Sequence, residues 1–389
     1  MSLPYRFCDT LVGAHLKHIR DIELVKPFST YLKKEYGAPT LEKYNTDIRK
    51  LNELRKAAGR IADSTEASRS VLIRYYTTLR QIQQQLPISP TEIVLPFSWC
   101  CSFNASNKFV SHYIEAEEAA VLYNLSAAYG HSAMSITKRT PEDLKRSIKE
   151  FCIAAGLFQR TAQLLDSTPQ TGSLTPDLTQ ENLNMMKTLM LAQGQECFIE
   201  YARLQQIPSA TLVKLIGHAA KLYEKVITLS KAPAFSDLID RQWLARIHIK
   251  MMLFSAIPHQ ILAEKAAGTM EFGEQVGRLR YAHKLINVCF NKIGPSAAEM
   301  VPILGHAQKS ISVALQAAEK ENSTIYFMSV KSEKEFPPLE EHSMVEPKET
   351  ELECTDPLFK GLMSKGDLQL LADVQKAAQR MWTGNQGSV

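Results

Sequence analysis

A chain of 389 residues with 45% hydrophobic content has enough apolar mass for one large elongated domain or two average ones. Its seven cysteines are odd in number and follow neither disulfide nor zinc spacing, which points to a reducing, cytosolic setting and away from a secreted scaffold. The net charge of +4 is uneven: Ser332 to Asp356 holds nine acidic residues against Lys334 and Lys348, so a segment of −7 leaves +11 for the remainder.

Nothing near Met1 reads as a charged leader followed by an apolar core, so secretion is not expected. His15 and His18 stand one helical turn apart, yet no carboxylate or cysteine nearby completes a metal site, and both read as surface histidines. Apolar residues then recur at three- and four-residue spacing, predicting a mainly α chain. Helices are expected over Thr40 to Ala58 and Glu66 to Leu86. Ile93 to Trp99, rich in β-branched and aromatic residues, is the strand candidate of a small sheet near the N-terminus.

His112 to Met134 returns to the helical period. Thr140-Pro141-Glu142-Asp143 then combines a capping hydroxyl, a first-turn proline and early carboxylates, the start of another helix. Gln180 to Gln205, Ser209 to Leu229, Arg241 to Ala267, Glu271 to Lys292 and Ser296 to Glu321 follow, the last opened by a Ser296…Glu299 capping box. Pro258 is expected to kink or split the Arg241 to Ala267 segment. Its apolar run, Met251 to Ala263, is interrupted by Ser255, Pro258, His259 and Gln260, which argues against a membrane span. Links as short as Gln206 to Pro208 force antiparallel neighbours, and serial hairpins of this kind predict an α-solenoid. Past Tyr326 the period stops; Pro337, Pro338, Pro347 and Pro357 mark an extended run, either a mobile linker or an ordered strap, before Leu358 to Trp382 regains helical character.

Enzyme chemistry finds no support in the motifs. Cys197 to Arg203 has the C-x5-R spacing of a phosphatase loop, but no glycine lets amides converge, Glu200 would repel phosphate, and the stretch lies inside a helix. Cys100-Cys101 lacks the C-x-x-C redox spacing. There is no glycine-rich phosphate loop, and no cofactor or metal is expected. Phe198 is the anomaly. It shares a helix face with Asn184, Lys187, Gln195 and Gln205, while Met186, Met190, Gly194, Cys197 and Tyr201 form the inward stripe. A ring so placed awaits a partner or is covered by another part of its own chain.

Distributed residues carry a resemblance to a known family: Tyr44 with Leu54-Arg55, Tyr75-Tyr76 and Leu86-Pro87, Phe97-Ser98-Trp99, Glu117 with Val121 to Asn124, Leu191 to Glu196, Phe272-Gly273-Glu274, Ile325-Tyr326, and Leu358-Phe359. In this order they resemble the Bro-one domain found in Alix, Brox and the histidine-domain protein tyrosine phosphatase. The resemblance implies one banana-shaped domain over residues 1–389, with a tetratricopeptide-like helical core and an ordered acidic strap over 332–357 followed by a helix over 358–382. It also implies a cytosolic adaptor recruited to endosomes, which captures the C-terminal amphipathic helix of an ESCRT-III subunit of the charged multivesicular body type in a concave apolar groove.

Carried over by position, the resemblance gives Phe198, Lys145 and Leu215 as conforming groove residues. Thr211 stands where an aliphatic residue is usual. On the local helix, Leu215 reads as ligand-facing and Leu212 as pointing into the core with Ile216, Ala219 and Tyr223. Tyr326 matches a tyrosine that in Alix-like members docks kinases when modified; its neighbours Asn322 to Ile325 depart from the usual pattern, so packing is the expected role beside regulation. The alternative function is a basic membrane-surface or other peptide-binding scaffold using the +11 body. No aromatic residues interleave with a basic cluster to favour nucleic acid.

Overall fold

The computed structural model describes residues 10–136, 140–168, 174–292, 295–353 and 356–384; the side chains of residues 292, 295, 296 and 380–384 lie outside that description, as do Cys8 and Cys354. Among the described residues there are eleven α-helices and one two-stranded sheet. The chain divides into two compact units: Lys17–Leu125, Leu164–Thr175 and Glu351–Val389 in one, and Met1–Leu16, Ser126–Gln163 and Pro176–Thr350 in the other.

The first unit holds α1 (Val25–Tyr36), α2 (Ala38–Gly59) and α3 (Glu66–Gln83), each packed on the next. Thr65 caps α3 by accepting the Ser68 N–H. β1 (Phe97–Cys100) pairs antiparallel with β2 (Lys108–Ser111), with Phe97 opposite Ser111 and Cys100 opposite Lys108. The expected strand therefore starts four residues late. Pro96 has no N–H to give a ladder, so pairing begins only behind it. The Glu117 carboxylate is buried and accepts from Arg55 Nε at 2.9 Å, Tyr75 Oη at 2.8 Å and Trp99 Nε1 at 2.5 Å. Three donors make that buried charge tolerable and tie α2, α3 and β1 to it. Phe359 is fully buried, its ring 6.2 Å from Phe28 and 5.9 Å from Tyr44, which seats the chain ahead of α11 (Lys365–Gly384).

α4 (Ile114–Ser135) and α5 (Pro141–Ser167) contribute residues to both units. Thr140 caps α5 as its sequence predicts, its hydroxyl accepting the Asp143 N–H at 3.2 Å and donating to Asp143 Oδ2 at 2.8 Å. In the second unit α6 (Gln180–Leu204), α7 (Ser209–Leu229), α8 (Arg241–Gly268), α9 (Phe272–Lys292) and α10 (Val301–Glu321) pack in sequence, each on its predecessor. This is the serial helical stacking that the hairpin spacing predicts. α8 runs unbroken through Pro258, so the expected split does not occur; α7 and α9 both pack on it and hold the helix despite the missing donor. α10 starts at Val301, behind a 3-10 stretch over Pro295–Met300 that is non-helical at Ala297. The proposed box partner Ser296 lies among the side chains outside the description.

Over its described residues in the second unit the strap lies along the helices, which carry a bed for it. A Cβ added at Gly273 or Gly277 of α9, or at Gly156 of α5, would stand 2.0, 2.2 or 2.1 Å from the carbonyl oxygens of Ser329, Lys331 and Lys348. At Gly217 of α7 and Gly194 of α6 the nearest strap atoms, Glu340 O and Val345 Cγ1, stand at 3.4 Å. Glycine inside a helix costs about 0.5–1 kcal/mol relative to alanine, and at Gly156, Gly273 and Gly277 it keeps a side chain out of the path of the passing backbone. Backbone bonds fix its course, with Lys331 N–H on Gly273 O at 3.4 Å, His342 N–H on Lys214 O at 3.2 Å and Lys348 N–H on Cys152 O at 2.8 Å.

The strap's charge has local partners. Glu340 pairs with Lys214, Glu341 with His218 at 3.3 Å, and Glu333 with Lys284 at 2.9 Å. Such exposed pairs are worth about 0–1 kcal/mol each, so they set the register more than they hold the strap down. Phe336 adds an apolar anchor: the Arg278 guanidinium lies 4.5 Å from its ring centre, and His259 faces the same ring at 5.7 Å.

Candidate functional site

α6 is enclosed along most of its length, which makes its openings informative. From Ala192 to Glu200 every residue is buried except Phe198, which is half-buried. Its ring lies 5.8 Å from that of Tyr201, tilted by 49°, and Lys145 Nζ of α5 sits 5.4 Å from the Tyr201 ring centre. Lys145 is exposed. A cation over an aromatic face, beside a second ring with an open edge, offers an apolar contact with an adjacent positive charge.

The register of the hairpin brings α7 to the same level. Gln195 Nε2 donates to Leu215 O at 3.1 Å, so in an antiparallel pair the next turn of α6, at Phe198, comes level with the preceding turn of α7, at Thr211 and Leu212. Gly194 faces Phe151 on α5, and by the same reasoning Lys145 comes level with Tyr201, where its ammonium is found. Lys145, Phe198, Tyr201, Thr211 and Leu212 thus share one band across three helices. Tyr201 belongs to it rather than to the inward stripe, since it is half-buried.

Leu215 and Leu212 show the reverse of the burial expected of them. Leu215 is 1% exposed, whereas Leu212 is half-buried and reachable. The strap crosses α7 at Lys214, Gly217 and His218, and Leu215 O accepts from Gln195 of α6, so this helix has a second covered face that sequence periodicity does not announce. Gln195 is corrected by the same contact. Its Nε2 also donates to His342 O at 3.0 Å and its Oε1 accepts the Met344 N–H at 3.0 Å, so this presumed water-facing amide is saturated and buried under the strap. Phe198 lies one turn beyond that crossing.

Tyr326 stacks on Phe272 with ring centres 3.5 Å apart and planes within 7°, at the turn where α10 gives way to the strap through a left-handed Phe327. His15 and His18 are both exposed in a non-helical stretch, so the helical-turn spacing assumed for them is not realised. Cys100, Cys101, Cys152, Cys197 and Cys289 are buried free thiols, and burial pushes the Cys152 thiol up from its ordinary value. Cys197 sits within α6, where the amides ahead of it are already bonded. Among the described residues no cluster of His, Cys, Asp or Glu has metal-site geometry, and no helix is long and apolar enough to cross a membrane.

Comparison with known proteins adds a family. Residues 11–371 match the family described as BRO1-like domain. ALG-2 interacting protein X of Dictyostelium discoideum is 28% identical over 331 residues, covering 85% of this chain and 41% of that protein. Vacuolar-sorting protein BRO1 of Arabidopsis thaliana is 26% identical over 345 residues, 87% of this chain and 40% of that one. The chain therefore spans about two-fifths of the length of these curated relatives. Among solved structures, the ALIX BRO1 CHMP4C complex is similar in fold, with a TM-score of 0.77 at 24% identity over 90% of this chain and 99% of that one.

Proposed function

The chain belongs to the BRO1-like domain family, and from that premise we propose that it is a non-enzymatic, cytoplasmic adaptor of endosomal sorting. It takes the C-terminal amphipathic helix of an ESCRT-III subunit on the band formed by Phe198, Leu212, Thr211 and Lys145. A relative named for vacuolar sorting and a solved relative complexed with CHMP4C support the partner class. The observation that carries the location is Phe198, the one opening in an otherwise buried stretch of α6, with Lys145 and Tyr201 beside it.

Docking follows the helix-in-groove mode: apolar residues at i and i+3 or i+4 of the ligand cover Phe198 and Leu212, and a ligand carboxylate pairs with Lys145. Burying two such side chains yields roughly 1.5–3 kcal/mol each, so contacts along the rest of the ligand helix must supply the remaining binding free energy once association costs are met. Thr211 lends a hydroxyl where an aliphatic side chain would extend the apolar floor. Leu215 supports the band from beneath without touching the ligand.

Calorimetry with an ESCRT-III C-terminal helical peptide tests the reading. Phe198→Asp and Leu212→Asp each abolish binding while leaving the melting temperature near wild type; Leu215→Asp, buried, unfolds the protein. Unchanged affinity in Phe198→Asp moves the site elsewhere.

A further inference from the structure

The strap divides the open face of α6 and α7 in two. It covers Gly194 and Gln195 of α6 and Lys214, Gly217 and His218 of α7, and the band with Phe198 lies on one side of it. On the other side α6 opens again: Asn184, Lys187 and Leu191 are half-buried, each about a turn from the next, among fully buried neighbours. At 100° per residue Lys187, Leu191 and Phe198 fall within about 40° of one another, so both openings belong to one face.

The register of the hairpin brings a second cation to the far opening. Gln195 Nε2 bonds Leu215 O at 3.1 Å, so about two turns away Lys187 comes level with Tyr223, and exposed Lys225 stands within a turn of it. Neither ammonium has an acid among the described residues; Glu224, beside Lys225 in the chain, pairs with Lys221 at 3.3 Å. Burial, and then the charge of Lys225, hold the Lys187 ammonium below its ordinary value. Asn184 adds an amide that makes no side-chain hydrogen bond among the described residues. Two cations on a half-buried floor without a counter-charge repel each other, and an anion between them relieves both.

The surroundings select the anion. Strap residues Glu341 and Glu346 are exposed above these helices while Lys187 is half-buried, so a flat anionic surface meets the strap's own acids before it reaches the floor. A flexible chain bearing carboxylates has no such obstacle, and half-buried Leu191 and Leu222 give it an apolar strip beside the cations. Lys187 and Phe198 are eleven residues apart on α6, about 16 Å along its axis, which about five extended residues span.

We propose that Lys187 and Lys225 hold an acidic segment of the same ligand whose helix lies on the Phe198 band, the two joined by a short extended stretch across the strap. This rests on the band and deepens it: carboxylates about five residues beyond the apolar anchors distinguish the partner from other amphipathic helices.

Calorimetry of the full chain at about 0.1 and 0.5 M salt tests this with an ESCRT-III C-terminal helical peptide carrying an extension of about eight residues at either end, glutamate-rich or glutamine-rich. Wild type binds one glutamate-rich peptide about fivefold to tenfold more tightly than its glutamine-rich counterpart at the lower salt, and the gain shrinks at the higher. Lys187→Gln/Lys225→Gln removes the gain, binds the glutamine-rich peptides as wild type does, and melts no lower than wild type. Equal affinity of wild type for the two compositions overturns the proposal, as does a gain that persists in the double variant. Binding of vesicles holding roughly 30% phosphatidylserine by wild type, lost in the double variant, assigns the lysines to lipid phosphate and also overturns it. The glutamine-rich peptides read the band through Phe198→Asp, whereas the difference between compositions reads the lysines, so the two failures are distinct.

Discussion

Gly156→Ala should destabilise this protein, although the same exchange inside an unobstructed helix stabilises one. Replacing a mid-helix glycine by alanine is worth about 0.5–1 kcal/mol in favour of alanine. Gly305 in α10, where an added Cβ meets nothing within 4 Å, should show that gain. At Gly156 the new methyl would stand 2.1 Å from Lys348 O, so the strap must retreat by roughly 1 Å or more to reach ordinary contact. That movement breaks the 2.8 Å bond from Lys348 N–H to Cys152 O, at about 1 kcal/mol. It also unseats buried Val345, at about 1.5–3 kcal/mol. Set against the propensity gain, the net loss is about 2 kcal/mol. Urea denaturation of the two variants measures the opposite signs, and hydrogen exchange at the Lys348 amide reports whether the strap has lifted. A Gly156→Ala protein as stabilised as Gly305→Ala, with that amide still protected, would refute the steric account of the glycine bed.

Three further outcomes follow from charged groups in and around the helical core. Lys250 Nζ contacts both Glu196 carboxylate oxygens, at 2.6 and 2.8 Å, with each side chain almost wholly buried; Lys250→Met leaves an uncompensated charge and costs about 3–5 kcal/mol in urea, part of which Glu196→Gln in the same chain restores. Burial, and then the Arg278 charge, hold the His259 imidazole down at about 4. Its surroundings are Arg278 at 3.4 Å, Tyr281 and strap residue Phe336. Because the unfolded chain takes up this proton near 6.5 and the folded chain does not, stability falls as pH drops from about 6.5 to about 4, by about 2–3 kcal/mol. His259→Gln should flatten that slope in urea titrations at the two ends of the window, and an unchanged slope would assign the acid sensitivity to other groups. Glu274 acts lower: burial raises its carboxyl, but Lys331 and Arg278 outweigh that and bring it to about 2. Its support is therefore complete above about 4.5 and lost as pH falls towards 2.

Helix after helix was legible in the sequence because apolar spacing and short links leave little choice, and Thr140 announces α5 by its cap. What periodicity reads is one buried face per helix. It therefore mistook Gln195 for a surface amide and exchanged Leu212 with Leu215, since α6 and α7 each have a second face buried by chain from far along the sequence. Composition left the strap open between linker and ordered segment. A signal was nevertheless present: Gly156 and Gly277 inside helices, and Gly273 in the first turn of α9, mark where another backbone passes too close for a side chain. Phe198 survived as the guide because it lies just outside that crossing, where a local reading of the helix still holds.

The strap also imposes an order on how the protein is made. It meets α9 first and α5 last, retracing backwards the helices already synthesised, so its contacts with Cys152 and Gly156 join residues far apart in sequence. Helical hairpins form from local contacts and fold early, while closure across such a span is slow. A nascent chain that has released α10 but not the strap carries Gln195 and Val345's seat on Gly194 uncovered, with the peptide band bordered by an open channel. Closure of the strap thus needs helices that are already in place, and the edge of the proposed binding surface is absent until it has happened.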